Sequence, residues 1–151
     1  MNDALSSLRM IMRGNNNPFN FISDEELEYL SEYFEQKYLP TGKYLWDEEV
    51  LSDYLAFIIS GEVELKKETE FKGGKIVLGV YKQGALLMLD LSMQKVFAEV
   101  HKDVTLLIIT QESLDRLIED NPKLGANLLK GMMMKISRRL ERCYDRIAVF
   151  F

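Results

Sequence analysis

YLAFIISGEVELKKE, Tyr54 to Glu68, is the stretch on which the fold turns. Its first half is apolar, rich in the aromatic and β-branched residues that favour strands. In its second half Val63 and Leu65 alternate with charged neighbours, the period of a half-buried strand rather than of a helix. Gly61 punctuates the two halves. The pattern continues outward on both sides. KYLW, Lys43 to Trp46, ends at acidic residues, and Gly73 with Gly74 suits a tight turn before KIVLGVY, Lys75 to Tyr81. Gly84 punctuates again, and VFAEV (Val96 to Val100) and VTLLIIT (Val104 to Thr110) complete the set, with His101 to Asp103 as a turn between them. Short strands from Tyr38 to Ile109 without interleaved helices predict an antiparallel sandwich or barrel, not a parallel sheet.

Helical patterns flank this block. The first runs from Asp3 to Arg13 with Leu5, Leu8 and Met12 on its apolar face, and the breaker cluster GNNNP, Gly14 to Pro18, cuts it off. A second helix is announced by Ser23 and Glu26 as a capping box and by Ile22 and Leu27 as a hydrophobic staple. Leu27, Leu30 and Phe34 form its buried face. Beyond the strands, Thr110 caps QESLDRLIED, where Leu114, Leu117 and Ile118 face inward, and Asn121 with Pro122 ends that helix and starts the last one. In the last helix Leu129, Met133, Ile136, Leu140, Cys143, Ile147 and Phe150 alternate in steps of four and three, the spacing of a coiled-coil seam. Such a stripe either pairs with a second copy or packs on the sheet body; its regularity favours a homodimer.

Composition excludes several classes. At 151 residues the chain is long enough for one core without disulfides or a metal. Its longest apolar runs, such as Leu55 to Ile59 and Leu106 to Ile109, fall far short of the roughly 20 residues of a membrane helix. The amino terminus lacks a signal-peptide core, so a cytoplasmic location is expected, and the lone Cys143 agrees with a reducing compartment. One histidine cannot build a metal site of clustered imidazoles, and no serine or cysteine stands in a recognisable nucleophile arrangement. The expectation is no catalytic residue, no metal and no cofactor. From Leu129 onward six basic residues face two acids in a chain of net charge −5, a distribution that the helix macrodipole also favours.

YLAFIISGEVELKKE, GGKIVLGVYKQG, VTLLIITQESLDRLIEDNP and the long final helix, in that order, resemble the cyclic nucleotide-binding domain of the catabolite activator family across roughly Phe21 to Phe151. The resemblance implies an α+β, mainly β, fold: an antiparallel β-roll or jelly roll flanked by N-terminal helices and a long C-terminal helix through which such regulators dimerise. It divides the chain into an N-terminal helix and linker, residues 1–20, and the domain proper, residues 21–151. Relatives that bind DNA carry a winged helix-turn-helix after the long helix. This chain ends at Phe151, so no direct DNA binding is expected.

The resemblance also places a phosphate cassette in GALLMLDLSMQKV, Gly84 to Val96. In the family a glycine–glutamate pair, a short helix and an arginine hold the cyclic phosphate and the ribose, because these need helix-terminal amides, a guanidinium and a carboxylate. Here Gly84 keeps its place, the glycine–glutamate pair falls on Met88 and Leu89, and the arginine falls near Gln94 or Lys95. The segment is also several residues shorter than the family's. Asp90 is the substitute for the carboxylate and Lys95 the substitute for the arginine, without its bidentate fork. The opposing reading is that Leu86, Leu87, Leu89 and Leu91 close the pocket with hydrocarbon. Losing hydrogen bonds to a charged phosphate, about 1.5 to 3 kcal/mol each, favours a module that does not bind cyclic AMP or cyclic GMP. The sequence therefore predicts a dimeric regulatory or protein-interaction unit with a protein partner it does not name. The alternative is a sensor that takes a cyclic nucleotide or another anion in a rebuilt pocket. A haem-ligand role for His101, known among relatives of this fold, lacks a surrounding shell to support it.

Overall fold

A computed structural model describes residues 3–13, 17–45, 54–71, 73–89 and 96–150. Helix α1 (Asp3–Arg13) is followed by a 3-10 turn (Asp24–Glu26), α2 (Leu27–Ser31) and five strands: β1 (Glu35–Leu39), β2 (Tyr54–Glu68), β3 (Lys75–Tyr81), β4 (Leu86–Leu89) and β5 (Val96–Thr110). Helices α3 (Gln111–Asp120) and α4 (Pro122–Ala148) close the chain. The antiparallel sheet runs in the order β1-β5-β2-β3, and β4 pairs with β2. The first turn of β2, Tyr54 to Phe57, lies between β4 and β5, whereas its far end, Val63 to Glu68, lies between β3 and β5.

Two apolar clusters explain the nearly continuous hydrophobic run at the start of β2. Tyr54, Ala56 and Ile58 join Leu106 and Ile108 of β5 inside the roll. Phe57 and Ile59 join Leu107 and Ile109 in a second cluster beneath the helices, with Leu8, Phe19, Leu30, Leu117, Leu124 and Leu128. Both faces of this part of the sheet are covered, so alternation in polarity vanishes there. It returns past Gly61, where Val63 and Leu65 point into the roll and Glu62, Glu64 and Lys66 point out.

Gly61 is not a break between strands, as the sequence reading had it; β2 passes through it. The pairing with β5 is irregular from Ile58 to Val63, and the inward positions switch from even to odd numbers across that interval. Gly61 has φ +93°, and a Cβ there would stand 2.2 Å from the Asp103 carbonyl oxygen. Glycine supplies both the left-handed backbone and the clearance. The two runs at the end of the sheet likewise merge into one strand, β5. His101 is therefore a strand residue and not part of a turn. KYLW forms no strand among the described residues: Tyr44 makes an isolated bridge to Glu99, and Trp46 lies outside them. The first strand instead begins earlier, at Glu35.

The local helix signals hold. The Glu26 carboxylate accepts from the Ser23 amide at 3.0 Å, Thr110 Oγ1 accepts from the Ser113 amide at 3.1 Å, and Asn121 Oδ1 accepts from the Leu124 amide at 3.1 Å. The α1 face is rotated from its expected position: Ala4, Leu8 and Ile11 are buried, and Leu5 and Met12 flank them. Helix α2 is short, and the Tyr33 hydroxyl just beyond it donates to Asp120 at 2.7 Å, tying it to α3.

Candidate functional site

Gly84 sits in the turn between β3 and β4 at φ +84°. Its amide donates to the Ile58 carbonyl at 2.8 Å, and the Ile58 amide donates to the Ala85 carbonyl at 3.0 Å, so the turn is clamped to the middle of β2. From there β4 runs antiparallel to β2, with Leu86 opposite Phe57 and Leu89 opposite Tyr54. Met88 and Leu89, where the glycine–glutamate pair of a cassette would fall, are backbone partners of Leu55 and Tyr54 in this ladder. Asp90, Gln94 and Lys95 lie outside the described residues, as does Leu91. Of the leucines expected to fill the pocket, Leu87 enters the roll interior and Leu86 points to the helical cluster.

The buried cluster described inside the roll is hydrocarbon apart from the Tyr54 phenol, and Tyr81 packs partly buried against it. Tyr54 donates to the Leu45 carbonyl at 2.6 Å, and burial pushes its pKa up to about 12. Outside the roll, Glu62 lies 3.3 Å from Lys102 and 3.5 Å from Lys82, and Glu64 lies 3.0 Å from Lys66 and 3.3 Å from His101 Nε2. His101 is thus one member of a cross-strand charge ladder. Among the described residues no group of three His, Cys, Asp or Glu could hold a metal ion.

Helix α4 carries two stripes with different destinations. Leu124, Leu128 and Met132 pack into the helical cluster, and the same side continues as Lys135, Arg139, Arg142 and Arg146. Arg139 donates to the Leu86 carbonyl and lies 4.7 Å from the Tyr81 ring centroid; Arg146 donates to the Leu78 carbonyl at 3.0 Å. The arginines therefore hold α4 against β3 and β4. Lys135 is 8% exposed, and burial, with the charges of Arg138, Arg142 and Arg139, lowers its pKa to about 8. Between this stripe and the turn lies a cleft of about 190 Å³ lined by Val80, Tyr81, Lys82, Gln83, Ala85, Lys135, Arg139 and Arg142. The sequence reading passed over this basic cleft. Its signal was the spacing of Lys135, Arg139, Arg142 and Arg146 in steps of four, three and four.

The apolar stripe faces away from the body. Leu129 is half-buried against the helical cluster, but Met133 (66% exposed), Ile136, Leu140, Ile147 and Phe150 (84%) are open to solvent, and Cys143 is a free, exposed thiol. The reading in which this stripe packs on the sheet is therefore wrong for all but its first residue. No described helix is long and apolar enough to cross a membrane.

The sequence matches no protein-family model and no curated protein sequence. Solved structures do share its fold. A cyclic nucleotide-binding domain from Methylobacillus flagellatus superposes with a TM-score of 0.82 at 24% identity, covering 98% of this chain and 86% of that one. The catabolite activator protein of Thermus thermophilus gives 0.66 at 22% identity over 88% of this chain, which spans only 62% of that protein. The c-di-GMP responsive global regulator CLP of Xanthomonas campestris gives 0.67 at 19% identity over 83% of this chain and 65% of that one.

Proposed function

We propose that this chain, whose fold is that of the cyclic nucleotide-binding domains, is a regulatory or protein-interaction module. In this reading it works as a homodimer through α4 and does not grip a cyclic nucleotide with the segment after Gly84. The observation that carries the reading is the solvent-facing seam of Met133, Ile136, Leu140, Ile147 and Phe150, which the body leaves uncovered. Contiguous apolar surface on a helix is stabilised by a partner, and a repeat of four and three suits a second copy of the same helix in parallel. In support, the buried cluster described inside the roll is apolar, whereas a sugar-phosphate needs a carboxylate and a guanidinium. Met88 and Leu89 stand in the pair's place, and Asp90, Gln94 and Lys95 are the residues left to rescue it. Regulation by assembly, rather than catalysis, is the role consistent with these features, and the partner protein is to be found by what the dimer recruits.

Leu140→Asp places a carboxylate in the middle of the seam. Sedimentation should then show monomers where the unaltered chain shows dimers, and an unchanged mass would remove the assembly. Millimolar cyclic AMP or cyclic GMP should leave the melting temperature where it is, because a ligand at a hundred times its Kd adds about 2.7 kcal/mol and is readily seen. A clear upward shift would reverse the second half of the proposal while leaving the first standing.

A further inference from the structure

Like charges three and four residues apart on one helix face repel, and α4 gathers Lys135, Arg139 and Arg142 in that relation against Lys82 of the turn. Among the described residues, none that lines this cleft is acidic. The ion pairs between two described residues engage Glu62, Glu64 or Glu99, and none of these involves Arg139 or Arg142. Lys82 reaches Glu62 at 3.5 Å but remains largely exposed. Arg139 is fixed by the Leu86 carbonyl and by the Tyr81 ring, so one guanidinium is pre-positioned at the wall of the cleft. Arg142 lies one turn further along with its fork available to a planar oxyanion.

We propose that the cleft between α4 and the β3–β4 turn binds a small phosphate-bearing anion of two or more negative charges, held by Arg139 and Arg142 with Lys135 and Lys82 at its sides. Such an anion offsets the repulsion between Arg139 and Arg142, and a concave cationic site concentrates it from solution. At about 190 Å³ the cleft lies below the roughly 300 Å³ at which pockets begin to enclose drug-sized ligands, so it takes a phosphate or diphosphate group and leaves any attached base or sugar outside. A cyclic phosphodiester, with a single charge spread over two free oxygens, satisfies this cluster poorly. The side chains that would hold the anion come from α4 and from Lys82 of the turn, while the start of the segment after Gly84 supplies only Ala85 to the wall and the Leu86 carbonyl that fixes Arg139; the ligand is added to the module proposed above without depending on that module's dimeric state.

Calorimetric titration of the whole chain with inorganic pyrophosphate tests the assignment, with orthophosphate, adenosine diphosphate and cyclic AMP as parallel arms. Saturable binding in the order pyrophosphate, orthophosphate, cyclic AMP is expected. Adenosine diphosphate equal to pyrophosphate identifies the diphosphate group as what is read, and adenosine diphosphate much tighter identifies a nucleotide as the source. Arg142→Gln, on an exposed side chain, should weaken pyrophosphate by roughly tenfold or more, whereas Lys130→Gln, exposed on the same helix outside the cleft, should change it less than about twofold. No saturable binding, equal losses from both variants, or duplex DNA binding with steep salt dependence while pyrophosphate does not bind would overturn the proposal.

Discussion

Replacing Lys135 by methionine isolates the electrostatic cost of the basic stripe. Lys135 is buried on α4, and its pKa falls from the ordinary 10.5 to about 8, chiefly through burial and then through Arg138, Arg142 and Arg139. Below pH 8 the lysine is protonated in both folded and unfolded chains, and the folded state bears the full penalty. Between pH 8 and 10.5 the unfolded chain holds the extra proton, so stability rises with pH; above 10.5 the penalty is gone. A shift of this size corresponds to about 3 kcal/mol at about 1.4 kcal/mol per pH unit. Methionine keeps the hydrocarbon stem and carries no charge. Urea unfolding of both proteins from pH 7 to pH 10 measures the difference in unfolding free energy. That difference should move in favour of the lysine protein by about 2 to 3 kcal/mol across the range. The comparison cancels the titrating groups that do not interact with Lys135. Parallel stability profiles for the two proteins would refute the claim that this lysine sits charged in a desolvated, cationic setting.

Gly61→Ala should cost about 3 kcal/mol or more, since it combines a left-handed backbone with a collision against Asp103, and thermal unfolding reads it directly. Thr110→Ala should cost about 1 kcal/mol by leaving the Ser113 amide without its acceptor, measurable by urea denaturation. Leu8→Ala should cost about 2 to 5 kcal/mol if α1 is part of the core, as its place in the helical cluster indicates, and a loss well below 1 kcal/mol would mark α1 as detachable. Asp103 is held below the usual carboxylate range by hydrogen bonds from the Thr41 amide, the Thr41 hydroxyl and Tyr38. Its contribution is therefore present above pH 3.8 and lost as the pH falls through its lowered value; Asp103→Asn should flatten that acid limb.

What could be read along the chain was what neighbouring residues decide among themselves. The caps at Ser23, Thr110 and Asn121, the Gly73–Gly74 turn, the alternation at Val63 and Leu65, and the apolar seam of α4 all depend on separations of a few residues. The structure bears out the caps, the turn and the alternation, and it leaves most of the α4 seam facing solvent. The α1 face was misjudged because Ala4 and Ile11 are weaker or differently placed signals than Leu5 and Met12, and only the neighbours of the helix choose among adjacent apolar stripes. The fate of Gly61 was likewise undecidable from one strand, because a glycine at a turn and a glycine at an irregular ladder step look alike until the opposing backbone, here Asp103, is present.

By itself the sequence determined the strand and helix periods, the helix caps and the apolar seam of α4. Tertiary structure decided that the seam faces solvent while the basic stripe turns onto the roll. That assignment rests on Arg139 reaching Leu86 and Arg146 reaching Leu78, contacts between residues 53 and 68 positions apart. Local propensity acts within a turn or two of the chain, whereas charge clustering and burial depend on which distant segments folding brings together.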